Sequence, residues 1–312
     1  MEDKKIKLIV NPKSGGGDGK KIANYISEKY QHLFSEIVFT SGPGEAIDLA
    51  KNSENFDAVC LIGGDGTLNE VINGVMQIDE KKRPKVGIIP VGTGNDFIKT
   101  IGISKNPDDA ITTILNMKTK KLDVAICKFL DFSGKPQKRY YINIAEFGMG
   151  GEVANLVNKY GKIFKGTIPF LLFALVCNFT FKNKTVRIKT DCEDEKFQDI
   201  EANIRVVAVA NGKFYGGGMQ IAPYAQPDDE LLDVVIVKDM NSIETLKNLP
   251  LLYKGEKGVE QAKKTGKVLY FRAKKVEVFE AENLMIEMEG EVPGHTPKYF
   301  EIIPKSIDFI IP

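Results

Sequence analysis

The sequence predicts two folded parts, an α/β domain followed by an all-β domain, and two textures of hydrophobicity carry that expectation. Over residues 5–130, short apolar runs rich in β-branched residues alternate with amphipathic ones. That is the pattern of parallel strands covered on both faces by helices. After about residue 120, strand-length segments follow one another without regular crossover helices, which points to an antiparallel sandwich or barrel. The chain has 312 residues, enough for two cores. At 43% hydrophobic and 27% charged it has the balance of an ordinary globular protein.

In the first part, KIKLIV (5–10) reads as a buried strand, followed by a glycine-rich loop and a helix over 20–30. SEIVFT (35–40) is a second strand and GEAIDLAKN (44–52) a helix. DAVCLI (57–62) is a third strand, followed by a helix over 67–75. KVGIIP (85–90) is a fourth, and GNDFIKTI (94–101) starts another helix. In the second part, KLDVAICKF, RYYINIAEF, KTVRIKT, NIRVVAVAN, LLDVVIVK, KVEVFE and LMIEME read as strands, with helical stretches near 151–178 and 241–264. The closing IDFIIP (307–312) is apolar enough for a strand of either part.

A net charge of +1 gives no basic field for nucleic acid. Cys60, Cys127, Cys177 and Cys192 stand singly, without zinc or redox spacing, and read as buried free thiols of a reducing compartment. MEDKKIKLIV lacks a long apolar h-region, so no signal peptide is expected. The segment TIPFLLFALVCNFTF (167–181) is too short to cross a bilayer: Ile168–Cys177 would span about 15 Å as a helix against a core of about 30 Å. It reads as a core helix or as a wall beside a lipid site. Lys159, Lys162 and Lys165 lie just upstream, near one helical face, where anionic lipid would attract them.

Three glycine loops follow strands of the first part, at the edge where such sheets bind ligands. NPKSGGGDGKK (11–21) fails as a Walker A loop, because Ser14 replaces the first glycine and Lys21 replaces the Ser or Thr. Its small residues still let backbone N–H groups converge on an anion ahead of a helix. In GGDGTLNEV (63–71), Asn69 breaks a dinucleotide fingerprint. Asp65 would repel phosphate unless a cation lay between them, as magnesium does in phosphoryl-transfer sites. Thr67 can serve as N-cap and can also offer its hydroxyl to phosphate. PVGTGNDF (90–97) repeats the theme with Asp96. Two glycine loops, each with one acid, suggest a site for nucleotide phosphates and magnesium.

NPKSG, GGDGTLNEV and PVGTGNDF, in this order and spacing, resemble the diacylglycerol kinase catalytic family of lipid kinases, which includes sphingosine and ceramide kinases. The compact length resembles its bacterial soluble members. The resemblance implies a Rossmann-like N-terminal domain over 1–124, to which 304–312 returns, and a β-sandwich lipid-substrate domain over 125–303, with the active site in the cleft. It places ATP phosphates on Asn11, Pro12, Lys13, Ser14 and Gly15, on Gly64, Asp65, Gly66, Thr67, Leu68, Asn69 and Glu70, and on Thr93, with Thr40 contacting the nucleotide. Asp65 and Asp96 match the acids that organise magnesium, and Glu291 in EMEGEV matches the catalytic base. Here Glu289 stands where the family has Asp, and Gly290 is expected to break the strand so that Glu291 projects. A structural metal would be held by Asp229 with the carbonyls of Gln226 and Leu231, although Glu230 stands where the family has Gly.

The implied activity is transfer of phosphate from ATP to the primary hydroxyl of diacylglycerol, giving phosphatidic acid. A kinase of another lipid alcohol (phosphatidylglycerol, a sphingoid base, undecaprenol), an NAD kinase and a non-catalytic nucleotide-binding module are the alternatives. The expected location is cytoplasmic, at the inner face of the membrane by peripheral contact. An edge strand of the second domain offers a surface for a homodimer.

Overall fold

The structure is a computed structural model that describes residues 4–92, 94–160 and 168–312. It divides into two compact units, residues 1–124 with 304–312, and residues 125–303.

In the first unit, strands β1 (Ile6–Val10), β2 (Glu36–Phe39), β3 (Ala58–Gly63) and β4 (Lys85–Pro90) pair in the order β2-β1-β3-β4, all parallel. The chain's final strand returns beside β4, with Phe309 opposite Val86. The helices are α1 (Asp18–Tyr30), α2 (Glu45–Lys51), α3 (Asp65–Val75), α4 (Asp96–Ile101) and α5 (Pro107–Asn116). β1, β3 and β4 are buried on both faces, which is why they read as continuous apolar runs. One face packs Ile6, Leu8, Val10, Cys60, Ile62, Ile111 and Ile310 together. Each large aliphatic buried there contributes about 1.5–3 kcal/mol, so the run pattern outweighs local turn preferences. Helix α5 is absent from the sequence reading, though it carries a start signal: Pro107 opens it, and the Asn106 side chain accepts from the N–H groups of Asp108 and Asp109. The strand order reverses between β1 and β3, so the loops after these strands flank the switch point where open parallel sheets bind ligands.

The second unit contains β5 (Thr119–Leu130, from Ala125 onward), β6 (Pro136–Tyr141), β7 (Ile144–Gly148), β8 (Lys184–Thr190), β9 (Asp199–Ala210), β10 (Leu232–Lys238), β11 (Val268–Ala273), β12 (Lys275–Phe279), β13 (Met285–Met288) and the first part of β14 (Glu291–Ile310). Its antiparallel pairings close a circuit, β9-β7-β13-β14-β12-β8-β9. Phe147, Val186, Ile188, Val207, Ile286, Met288 and Phe300 fill its interior. Helices α6 (Met149–Tyr160), α7 (Ile168–Thr180), α8 (Ser242–Asn248) and α9 (Glu256–Lys263) complete the unit. RYYINIAEF, read as one strand, is two: the pairing breaks at Ile142 and Asn143, whose N–H groups donate to Glu289 Oε1 at 2.7 and 2.6 Å. All four cysteines are buried free thiols.

Helix α7 differs from a core helix. Cys177 and Asn178 are buried, and Asn178 is held by the Arg205 guanidinium. Leu172, Leu175, Val176 and Phe179 recur at helical spacing on a face that stays exposed. Among the described residues, no helix is long and apolar enough to cross a membrane. Lys159 lies in the last turn of α6, with its ammonium over the Tyr160 ring; Lys162 and Lys165 lie outside the described residues.

Candidate active site

The three glycine loops sit at the ends of adjacent strands β1, β3 and β4, and hydrogen bonds tie them into one patch of the first unit. Asn11 donates its N–H to the Ile62 carbonyl at 3.0 Å and its Nδ2 to Thr67 Oγ1 at 2.9 Å. Asn11 Oδ1 accepts the Lys13 N–H at 3.1 Å, and the Asn11 carbonyl accepts the Ser14 hydroxyl at 2.8 Å. Gly15 has φ +58°, and a Cβ there would meet Val91 Cγ1 at 2.9 Å. Only glycine lets the first loop close so tightly against the third.

Asp65 is the first residue of α3, with Gly64 as N-cap, so Thr67 lies two residues inside the helix and is not its cap. The Asp65 carboxylate turns to the third loop. Oδ2 accepts the Asp96 N–H at 3.1 Å, and Oδ1 accepts the Phe97 N–H at 3.4 Å. Burial raises its pKa, the charge on Asp96 adds to that, and the Asp96 N–H opposes it. Asp96 is 5% exposed and paired with Lys99 Nζ at 2.6 Å. Two acids held together, with small residues around them, leave the remaining ligands of a divalent cation to phosphates, with Lys99 already bringing positive charge to Asp96.

Other positions in these loops have structural duties. Leu68 and Asn69 are fully buried. Glu70 Oε1 and Oε2 accept the N–H groups of Gly44 and Ala46, at 2.8 and 3.2 Å, at the start of α2. Thr40 is buried beside the Val10 carbonyl. Pro12, Gly66 and Ser14 lie along the same loops, and Thr93 is outside the described residues. The sequence reading passed over two residues. Lys99 stands three positions after Asp96, a helical spacing that could have flagged it. Asn95, at φ +49°, donates Nδ2 to the Gly92 carbonyl and leaves a buried Oδ1 without a hydrogen bond.

Glu291 belongs to the second unit. The strand does break at Gly290: Glu289 and Gly290, at φ +53° and +89°, form the two-residue turn joining β13 to β14, and Met288 pairs with Glu291. Glu291 Oε2 accepts from Arg139 Nη2 at 2.6 Å, and its side chain is 40% exposed. Arg139 comes from β6, more than 150 positions away, and no sequence spacing announces it.

Asp229 and its neighbours make a second polar cluster in the same unit. Asp229 Oδ1 accepts the Leu231 N–H at 3.2 Å, and the Gln226 carbonyl accepts the Asp229 N–H at 3.4 Å. Glu230 has φ +65°, the left-handed conformation that costs a non-glycine residue about 1 kcal/mol. Arg272 Nη1 lies 3.4 Å from Asp229 Oδ2, and Arg272 Nε lies 3.3 Å from Asp233 Oδ1. Burial lifts Asp233 to about 6. The donor set fits a cation only in part, because a guanidinium already brings positive charge to Asp229. Among the described residues, no group of three or more His, Cys, Asp or Glu could hold a metal ion.

Residues 5–127 match the model of the diacylglycerol kinase catalytic domain, and residues 143–311 match that of the YegS C-terminal NAD kinase beta sandwich-like domain. A diacylglycerol kinase of Bacillus subtilis (strain 168) is 29% identical over 314 residues, covering 99% of this chain and 97% of its own. A crystal structure of a diacylglycerol kinase from Bacillus anthracis str. Sterne superposes with a TM-score of 0.74 at 27% identity, covering 99% and 97% of the two chains. Yeast NADH kinase complexed with NADH shares the fold alone, with a TM-score of 0.50 at 10% identity over 98% of this chain and 82% of that one. Matched in both halves, and over nearly its whole length by such relatives, the chain belongs to the diacylglycerol kinase catalytic-domain family of lipid kinases.

Proposed function

We propose that this protein transfers the γ-phosphate of ATP to the primary hydroxyl of diacylglycerol, giving phosphatidic acid. The observation that carries the reading is Asp65: a buried acid between glycine loops, held against Asp96 by the amides of the third loop. A phosphate site with that much negative charge needs a divalent cation. Magnesium, when bound, neutralises charge that develops on the transferred phosphoryl group. Asp65 and Asp96 would hold it. The backbone of Asn11–Gly15, Gly64–Glu70 and Thr93 would line the phosphates, with Thr40 beside the nucleotide. Glu291 would take the hydroxyl proton as general base, and Arg139 would orient its carboxylate before the lipid binds. Asp229, with the Gln226 and Leu231 carbonyls, would hold a structural metal only by giving up its Arg272 contact.

The choice of diacylglycerol is supported by full-length similarity to proteins bearing that name. Peripheral contact with the inner membrane face is supported by α7, whose exposed Leu172, Leu175, Val176 and Phe179 give an apolar face of the kind that meets lipid or protein. The test is incubation with labelled ATP, magnesium and a panel of lipid alcohols in mixed micelles. Diacylglycerol should be labelled faster than phosphatidylglycerol, a sphingoid base or undecaprenol. Preferential labelling of another member would overturn the substrate, and labelling of none would overturn the kinase reading.

A further inference from the structure

Glu146 on β7 and Glu287 on β13 are directly opposed across an antiparallel pair. Opposed residues share a sheet face with Cβ atoms about 4.5–5.5 Å apart. Both side chains are buried, at 5% and 8% exposure. Gly150, at the start of α6, lies so close to Glu146 Oε1 that a Cβ there would collide with it. Glu146 also lines a cavity of about 240 Å³ with Met149, Val153, Val206 and Tyr215, and among the described residues its Oε2 has no hydrogen-bond partner. Glu287 Oε1 accepts the Gly290 N–H.

Among the described residues the pair has no counter-charge of its own, and Arg139 is paired with Glu291. Glu289 and Glu291 face Glu287 from the turn and β14, and Tyr215 and Tyr253 lie near from the loops beyond β9 and α8. On α6, Glu152 interacts with Lys184 and not with the pair. Among the described residues, no Lys, Arg or His forms an ion pair with Glu146 or Glu287. Two carboxylates opposed at close range and screened from bulk water resist ionising together at neutral pH. Burial lifts Glu146 to about 7 and Glu287 well above the usual range, with repulsion from Glu146 adding to the latter.

We propose that Glu146 and Glu287 hold a shared proton, and that this protonated pair positions the Glu289–Gly290 turn and, through it, Glu291. The proton leaves to solvent as pH rises. What remains is two negative charges on adjacent strands, whose mutual repulsion drives the carboxylates apart and carries Glu287 off the turn, against the stronger hold a charged carboxylate has on the Gly290 N–H. Both would then be positioning residues; the consequence for catalysis rests on Glu291 being the base, while the effect on the turn does not.

The test is hydrogen exchange at the Gly290 amide against pH, corrected for its intrinsic rate. In the wild type, protection should fall by up to about tenfold per pH unit once the pair loses its proton. In Glu146→Gln most of that fall should be lost, because glutamine cannot ionise, can donate to Glu287 and leaves its carboxylate no like charge on β7 to repel it. In the kinase assay, Glu146→Gln should lose the alkaline fall in kcat with an unchanged KM for ATP, whereas a merely structural role would lower the rate alike at every pH. Wild-type protection that ignores pH, or the same pH dependence in Glu146→Gln, overturns the proposal. Infrared spectra of the wild type need no variant: a protonated carboxyl band should persist at neutral pH, and its absence also overturns the proposal. If no lipid is phosphorylated at all, the reading of Glu291 fails while the exchange result still decides the pair.

Discussion

Asp65 in the first unit and Glu287 in the second are both buried carboxyls that accept backbone N–H groups, yet their surroundings differ in charge. Asp65 has two amides of α4, and its acidic neighbour Asp96 is paired with Lys99. Glu287 has one amide and faces Glu146, with two more glutamates beyond. The same residue chemistry therefore suits different work. The first site can stay anionic and receive a cation. The second relieves its repulsion most easily by keeping a proton.

Removing Asp65, the acid proposed to hold the cation, should give the largest effect. Asp65→Ala is expected to lower kcat by at least about 10²–10⁴, measured as label transfer from ATP to diacylglycerol in mixed micelles. Turnover near the wild-type value would break the comparison at its stronger end. Glu291→Gln should lower kcat by about 10²–10⁴ with little change in ATP affinity; a variant with near-normal turnover refutes the base assignment. Leu175→Asp with Phe179→Asp should weaken pelleting with anionic vesicles by about tenfold or more, since each apolar side chain moved out of water is worth about 1.5–3 kcal/mol. Equal pelleting would remove α7 from the membrane reading.

The comparison also makes a stability prediction. The folded-state pKa of Glu146 lies above its ordinary value, at about 7. Its favourable contribution is whole below the ordinary carboxyl range and is lost as pH rises through about 7. The thermal midpoint of the wild type should therefore drop, relative to Glu146→Gln, between mildly acidic and mildly alkaline buffer. Parallel curves would show that the pair is already ionised. The smallest effect is expected from Gly15→Ala, about 1–2 kcal/mol of stability with a raised KM for ATP, because the left-handed backbone and Val91 both oppose a Cβ. An unchanged midpoint would mean that the loop relaxes freely.

The glycine loops were legible because their chemistry is local. Each motif is contiguous, and strands β1, β3 and β4 announce themselves as apolar runs whose ends place the loops. The helix start at Asp65 was misplaced by two residues, since Gly64 carries no side-chain signal for a cap. The exposure of α7 was not legible either, because an all-apolar run reads alike whether its partner is protein or lipid.

By itself the sequence determined the α/β and β-sandwich classes, the order of the glycine loops and the family, because periodicity and contiguous motifs need no knowledge of what folds against them. Only the tertiary structure decided that Glu289 closes the gap between β6 and β7, that Arg139 meets Glu291, that Arg272 reaches Asp229 and that Glu146 faces Glu287. These contacts join residues up to about 150 positions apart, and strand register fixes them. A slip of one residue would turn either glutamate of the facing pair to the opposite side of the sheet.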